Sequence, residues 1–244
     1  MLKLLLYLLL ALLGALLLFA LVAVVSAWLV RPDREYPRES RYYRLLINII
    51  AWFALFFSRV RLTATGLEKL PEGRFLLVSN HRSKFDPIVT WRALKGRNIG
   101  FISKPENFSV PIIGRIIRRC CCLPIDRENP RKALPTILKA ADLIRNDEVS
   151  VGVYPEGTRS LSGELLPFHN GVFKIAQKSG APVVVAALRG TALVHRNFPW
   201  KSTPVSVDIL EVIPPETVKS LRTAELGQLV YDMLERYLSE EKDT

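Results

Sequence analysis

FLLVSNHRSKFDP, Phe75 to Pro87, decides how this chain is read. The apolar run Phe75–Ser79 has the length and composition of a buried strand. Asp86-Pro87 reads as a helix start, because aspartate accepts from free backbone N–H groups and proline suits the first helical turn. Strand, polar turn and helix thus follow within thirteen residues, which is an α/β unit. The turn carries His81, one of three histidines in the chain, with Asp86 five residues later. On one continuous helix that spacing separates two side chains by roughly 140°. The pair can meet only if His81 lies in the turn before the helix. A carboxylate on one imidazole nitrogen would then fix the tautomer and leave the other nitrogen to take a proton. An isolated His-x4-Asp does not decide between that dyad and a helix cap beside a turn histidine.

The α/β pattern continues outward. Ile99–Ile102, Cys121–Ile125, Val149–Tyr154, Val183–Leu188 and the alternating Val205–Val212 read as strands. Leu134, Ile137, Leu138, Ala141 and Ile144 fall at helical spacing and predict an amphipathic helix over 131–145. Gly171–Lys178 reads as helical, ended by Gly180-Ala181-Pro182. Leu226, Leu229, Val230, Met233, Leu234 and Tyr237 mark a last amphipathic helix. Strands alternating with helices predict a central sheet with helices packed on it.

The N-terminal part differs. Leu4 to Val30 holds no charged residue. As a helix it would reach roughly 40 Å, against a bilayer hydrocarbon core of about 30 Å. Val25-Ser26-Ala27 loosely resembles a signal cleavage site, but the run exceeds a signal core, so an uncleaved anchor is expected. Lys3 precedes this segment, whereas Arg31, Arg34, Arg38, Arg41 and Arg44 follow it. That asymmetry places the remainder in the cytoplasm, with arginines near anionic headgroups. Leu45–Phe57 is too short to span easily. It suits a helix lying in one leaflet or a buried core helix. Val110–Arg119, apolar with three arginines, is expected against the membrane. Residues 1–58 are therefore expected to be membrane-anchoring helices, and 59–244 a cytosolic α/β domain.

With 34 Lys+Arg against 23 Asp+Glu the net charge is +11, which suits an anionic partner. No nucleic-acid motif appears, and nucleic acid would not explain the anchor. The three cysteines are adjacent, Cys120 to Cys122, with no CxxC spacing and no histidine nearby. They read as small apolar residues in a reducing compartment, not as a metal site.

Two further stretches carry polar chemistry. YPEGTRS, Tyr154 to Ser160, follows a predicted strand, where ligand loops of α/β sheets lie. Gly157 allows close backbone approach, Thr158 and Ser160 offer hydroxyls, and Arg159 offers a fork of donors for phosphate. LPIDREN, Leu123 to Asn129, presents Arg127 as a second phosphate ligand or as half of an Asp126–Arg127 surface pair.

In order, Asn80-His81-x-Ser83-x-x-Asp86, Ile125-Asp126-Arg127, Glu156-Gly157-Thr158-Arg159-Ser160 and APVVVAALRG resemble the four motifs of the glycerolipid acyltransferase family. Within it the chain is most similar to bacterial 1-acylglycerol-3-phosphate acyltransferases, over roughly residues 60–211. The resemblance implies a central mixed sheet flanked by helices, preceded by a membrane-embedded helical pair. It implies transfer of an acyl chain to lysophosphatidic acid, giving phosphatidic acid. His81 would be the general base and Asp86 its orienting carboxylate. Glu156, Gly157, Thr158, Arg159 and Arg127 would bind the glycerol-phosphate part, with Lys104 as another phosphate ligand. Ser83 matches the motif without an assigned step.

No cofactor or metal is implied. The co-substrate that the resemblance implies is an acyl thioester of coenzyme A or of acyl carrier protein, the latter then a protein partner beside membrane lipids. Pro124, Val185 and His169 stand where phenylalanine, proline and lysine are frequent, and are expected to touch the acceptor pocket and its rim. A different lysophospholipid or glycerol 3-phosphate as acceptor, or hydrolysis of a thioester or ester by the same dyad, stays open.

Overall fold

A computed structural model describes residues 1–240 of the chain. The last four residues of the expected second domain lie outside it. In chain order the elements are α1 (Leu2–Trp28), α2 (Arg41–Phe57), β1 (Val60–Thr65), β2 (Leu76–Ser79), α3 (Asp86–Ala93), β3 (Ile99–Ser103), α4 (Ile113–Arg118) and β4 (Leu123–Pro124). They continue with α5 (Pro130–Arg145), β5 (Ser150–Val153), α6 (Lys174–Ser179), β6 (Val183–Arg189), α7 (Val194–Asn197), β7 (Thr203–Ile213), α8 (Pro215–Ser220) and α9 (Thr223–Ser239). The strands form one seven-stranded sheet in the order β1-β7-β6-β2-β5-β3-β4. Pairing is parallel except between β6 and β7. The mixed sheet flanked by helices is as expected.

Strand alternation distributes the core. Leu76 and Val78 face a cluster with α5, α6 and α9, contributed by Ile137, Ala176 and Val230 among others. Phe75 and Leu77 face the other side, against Leu46 and Ile47 of α2 and Ile116 of α4. Burial on both faces explains why β2 reads as an uninterrupted apolar run.

The N-terminus departs from the expectation of an embedded pair. Among the described residues one helix, α1, is long and apolar enough to cross a membrane by length and composition. α2 is instead a packing helix on one side: Leu46, Ile47, Ala51 and Leu55 are buried, while Trp52, Phe56 and Phe57 stay exposed. A shared core therefore joins it to the sheet. Arg44 fixes the junction. Its buried guanidinium pairs with Glu39 and donates to the carbonyls of Ile99 at 3.0 Å and Cys120 at 3.2 Å. The segment 110–119 contains α4, which buries Ile116 and Ile117 in the core while Val110 before it stays exposed. Cys121–Ile125 yields only the two-residue β4, because residues 120–122 turn: Cys121 has φ 56°. The three thiols are buried, and burial pushes Cys122 up to about 11 and Cys121 up to about 12.

Candidate active site

The site sits at the carboxyl ends of the parallel strands β2 and β5, where open α/β sheets place ligands. Asn80 closes β2. Its side-chain Nδ2 donates to Leu188 O at 2.9 Å, and its Oδ1 accepts from Leu188 N–H at 2.8 Å. This amide extends the β2–β6 pairing and fixes where the turn begins. The chain then bends so that His81 Nδ1 lies 2.7 Å from Asp86 Oδ2.

Asp86 does this differently from the cap expected at the helix start. The N-cap of α3 is Phe85, and Asp86 is the first helical residue. Its carboxylate turns backward. Oδ2 accepts from the backbone N–H of Arg82 at 2.7 Å and of Ser83 at 2.8 Å, as well as meeting His81. The carboxylate is completely buried. One oxygen thereby folds the turn and orients the imidazole. Ser83 Oγ accepts from Phe85 N–H at 3.2 Å, which makes it a turn residue.

The EGTRS loop is tied to this turn. Ser160 N–H donates to His81 O at 2.8 Å. Glu156, buried, accepts from His81 N–H on Oε1 at 2.5 Å and from Leu166 N–H on Oε2 at 3.0 Å. Burial pushes this carboxyl above the ordinary glutamate value, and the two N–H donors partly oppose the shift. Glu156 thus fastens two loops and does not line the neighbouring cavity. Both of its carboxylate oxygens accept from backbone N–H groups.

Tyr154 was not singled out from sequence as a site residue. Its ring stacks on His81, with centroids 4.3 Å apart and planes 12° apart, and on Phe101 at 5.6 Å. Burial, followed by the charge of Asp86, raises its hydroxyl well above the usual phenol value, so it is a neutral wall. The only available signal was an aromatic residue at the end of a predicted strand, beside PEG.

Next to this corner lies a cavity of about 590 Å³. Ile102, Ile125, Leu134 and Ile137 give it apolar walls, while Arg127, Gly157 and His169 line its polar part. Gly157 has φ 69°, and a Cβ there would come within 2.7 Å of the His169 ring and 3.7 Å of Arg127 Cδ. Glycine is therefore required by both conformation and space. Arg127 is half-buried and has no hydrogen-bond partner among the described residues. Burial lowers its pKa, with Glu106 opposing. Thr158, Arg159 and Lys104 are exposed and do not line the cavity. Of the three family departures His169 alone does so. Pro124 is exposed outside it, and Val185 is buried in β6 opposite Val78. The structure brings together His81, Asp86 and the EGTRS loop, which sequence order singles out. That order does not distinguish residues that hold the loop from residues that face the cavity.

A family model described as Acyltransferase matches residues 61–189, more than half of the chain. A 1-acyl-sn-glycerol-3-phosphate acyltransferase from Brassica napus, BAT2, chloroplastic, is 36% identical over 160 residues, covering 64% of this chain and 46% of its own. An enzyme of that name from Limnanthes douglasii is 31% identical over 169 residues, covering 69% and 59%. The chain thus spans about half the length of these curated relatives. The one from Haemophilus influenzae is 25% identical over 167 residues, 68% of this chain and 69% of its own. The solved structure of the LPA acyltransferase PlsC from Thermotoga maritima superposes with a TM-score of 0.70 at 23% identity, covering 93% of this chain and 90% of its own. That likeness is one of fold.

Proposed function

The chain belongs to the Acyltransferase family, and from that premise we propose that it is a membrane-bound O-acyltransferase that converts lysophosphatidic acid to phosphatidic acid. The relatives' shared name supports the acceptor. The observation that carries the chemistry is the contact of His81 Nδ1 with the buried Asp86 carboxylate at 2.7 Å. It leaves Nε2 as the nitrogen able to take a proton.

In the proposed reaction the free hydroxyl of lysophosphatidic acid attacks the carbonyl of an acyl thioester, from coenzyme A or acyl carrier protein. Nε2 of His81 takes the hydroxyl proton as the C–O bond forms. Asp86 keeps the tautomer and stabilises the imidazolium. Collapse of the tetrahedral intermediate breaks the C–S bond, and the departing thiolate takes the proton from His81. The products are an ester and a thiol. Ester formation needs no covalent enzyme intermediate, so the buried cysteines are not required. Arg127 and the Gly157 backbone are proposed to hold the acceptor phosphate, with Thr158, Arg159 and Lys104 at the rim. Glu156 positions rather than binds. α1 is proposed to anchor the chain in the cytoplasmic membrane, with the site on the cytoplasmic side as the arginines after α1 favour.

The test is a panel of lysophosphatidic acid, other lysophospholipids and glycerol 3-phosphate, with both thioester donors, on the wild type and His81→Ala. Acyl transfer to lysophosphatidic acid that is lost in His81→Ala is expected. Release of free fatty acid regardless of acceptor would make the protein a hydrolase.

A further inference from the structure

The connection from β6 to β7, residues 190–202, carries apolar residues that the proposed reaction does not use. Phe198 is 50% and Trp200 84% exposed, while Val194 is buried. Val194 packs in a cluster with Leu55 of α2. The loop ends beside α2 as well: Thr203 N–H donates to Arg59 O at 3.0 Å, and the β1–β7 register opens at Val60 and Thr203. At that end of α2, Phe56 and Phe57 are 61% and 57% exposed. Exposed aromatic side chains from two distant segments therefore occupy one corner of the molecule.

The direction of α1 gives that corner a meaning. Ser26 Oγ is 2.6 Å from Tyr42 Oη, and the Phe19 ring is 5.6 Å from that of Phe53. Position falls along α1 as it rises along α2, so the two helices run antiparallel. Residues 1–15, exposed throughout, consequently project beyond the end of α2, from the corner that carries the aromatic loop. The corner is also cationic. No Asp or Glu occurs in residues 40–67 or 165–207, whereas Arg59, Arg61, Arg196 and Lys201 do. Finally, the loop leaves β6 at the carboxyl end of the strands, where Asn80 bonds Leu188, next to His81.

We propose that residues 193–201 form a second membrane contact, seated with the end of α2 in the headgroup layer of an anionic leaflet. The inference rests on the membrane anchorage of α1 proposed above, and adds to it a site that orients the domain. α1 is packed on α2 and the core, so on its own it leaves unset only the tilt of the whole body against the leaflet. Two contacts fix which end of the strands meets the lipid, and this end is the one bearing His81. Tryptophan and phenylalanine flanked by arginine and lysine suit an interface of apolar chains and anionic headgroups. A second copy seated on this patch would bring its cations against themselves, which disfavours self-association there.

The test uses the full chain with Trp200→Cys, carrying an environment-sensitive fluorophore on the new thiol. Cys120, Cys121 and Cys122 are buried, and burial raises their thiol pKa values, so the native chain resists labelling. The protein is reconstituted with phosphatidylcholine vesicles, with or without phosphatidylglycerol, some with nitroxide at headgroup depth. Flotation of the vesicles reports anchorage separately. On phosphatidylglycerol vesicles the label should shift to the blue and lose most of its emission to the nitroxide. The same label at Glu72→Cys, in the loop entering β2 at the opposite end of the strand, should do neither. Arg196→Glu with Lys201→Glu should reduce the quenching without preventing flotation. A label that stays water-like on floated protein overturns the loop contact and leaves the anchor standing. Failure to float overturns both. A shift without lipid that grows with protein concentration assigns the patch to a second copy and overturns the proposal. Lys201→Cys repeats the measurement should Trp200→Cys fold poorly.

Discussion

The turn at His81 and the neighbouring cavity with its rim hold polar side chains in opposite states. In the turn, Asp86, Glu156 and Asn80 are buried, and together they accept from or donate to backbone groups of five other residues. Arg127 lines the cavity without a hydrogen-bond partner among the described residues, and Arg159 and Lys104 are exposed outside it. The difference separates two demands. A proton-transfer group must stand at a fixed place before the substrate arrives, because misplacement costs rate. A group that binds phosphate must keep its donors free until the phosphate comes. Substitutions in the two regions should therefore read out in different kinetic constants.

The largest expected effect is that of His81→Ala. It removes the proposed base outright, and acyl transfer should fall about 10²–10⁴-fold in kcat, the usual range for such a group. A thioester-dependent assay on purified, reconstituted protein measures it. Retention of wild-type kcat would end the assignment of His81. Asp86→Asn separates charge from geometry. The amide oxygen can take the place of Oδ2 and keep all three of its partners, while the negative charge is lost. A drop in kcat of about 10–100-fold with acceptor KM unchanged is expected, smaller than for His81→Ala because the imidazole remains. An equal rise in KM would mean that Asp86 also shapes the acceptor site.

How much of this was legible beforehand depends on the range of the interaction. The strand Phe75–Ser79, the helix over 131–145 and the final helix follow from local periodicity, and the structure has each. The contact of His81 with Asp86 was legible because it spans five residues and one turn. The inward packing of α2 was not, since Leu45–Phe57 is apolar enough for lipid or for core, and only the sheet beneath it decides. The cap role of Asp86 was misread for a related reason. A carboxylate at a helix start can accept from N–H groups ahead of it or behind it, and the tight turn at Arg82 and Ser83 supplies donors behind. Glu156 illustrates the limit. Its partners, His81 and Leu166, lie 75 and 10 residues away, and no pattern in the sequence marks them.

The rim should behave in the complementary way. Arg127→Ala removes a half-buried cation next to Gly157, and a charged hydrogen bond lost there should raise acceptor KM about tenfold or more with little change in kcat. Arg159→Ala removes a cation that is already solvated, so the rise should be several-fold smaller, in the same direction. Initial rates over a range of lysophosphatidic acid concentrations measure both. The reverse order would place the phosphate at the EGTRS rim instead of inside the cavity.

The smallest effect concerns Glu156, where the two regions join. Burial raises its carboxyl above the ordinary glutamate value in the folded chain. The folded protein therefore holds this proton more tightly than the unfolded chain does. The stabilisation that results is fully present below the unfolded value and is lost as pH rises through the raised folded value. Glu156→Gln cannot titrate. Melting temperatures of wild type and Glu156→Gln, followed from pH 4 upward in the same lipid, should show the wild type losing ground to the variant across that window. A wild type that gained relative stability as pH rose would mean that the N–H donors of His81 and Leu166 outweigh burial. The carboxylate would then be a hydrogen-bonded anchor for the turn whose charge the fold favours, and Glu156→Gln would loosen His81 as well as Leu166.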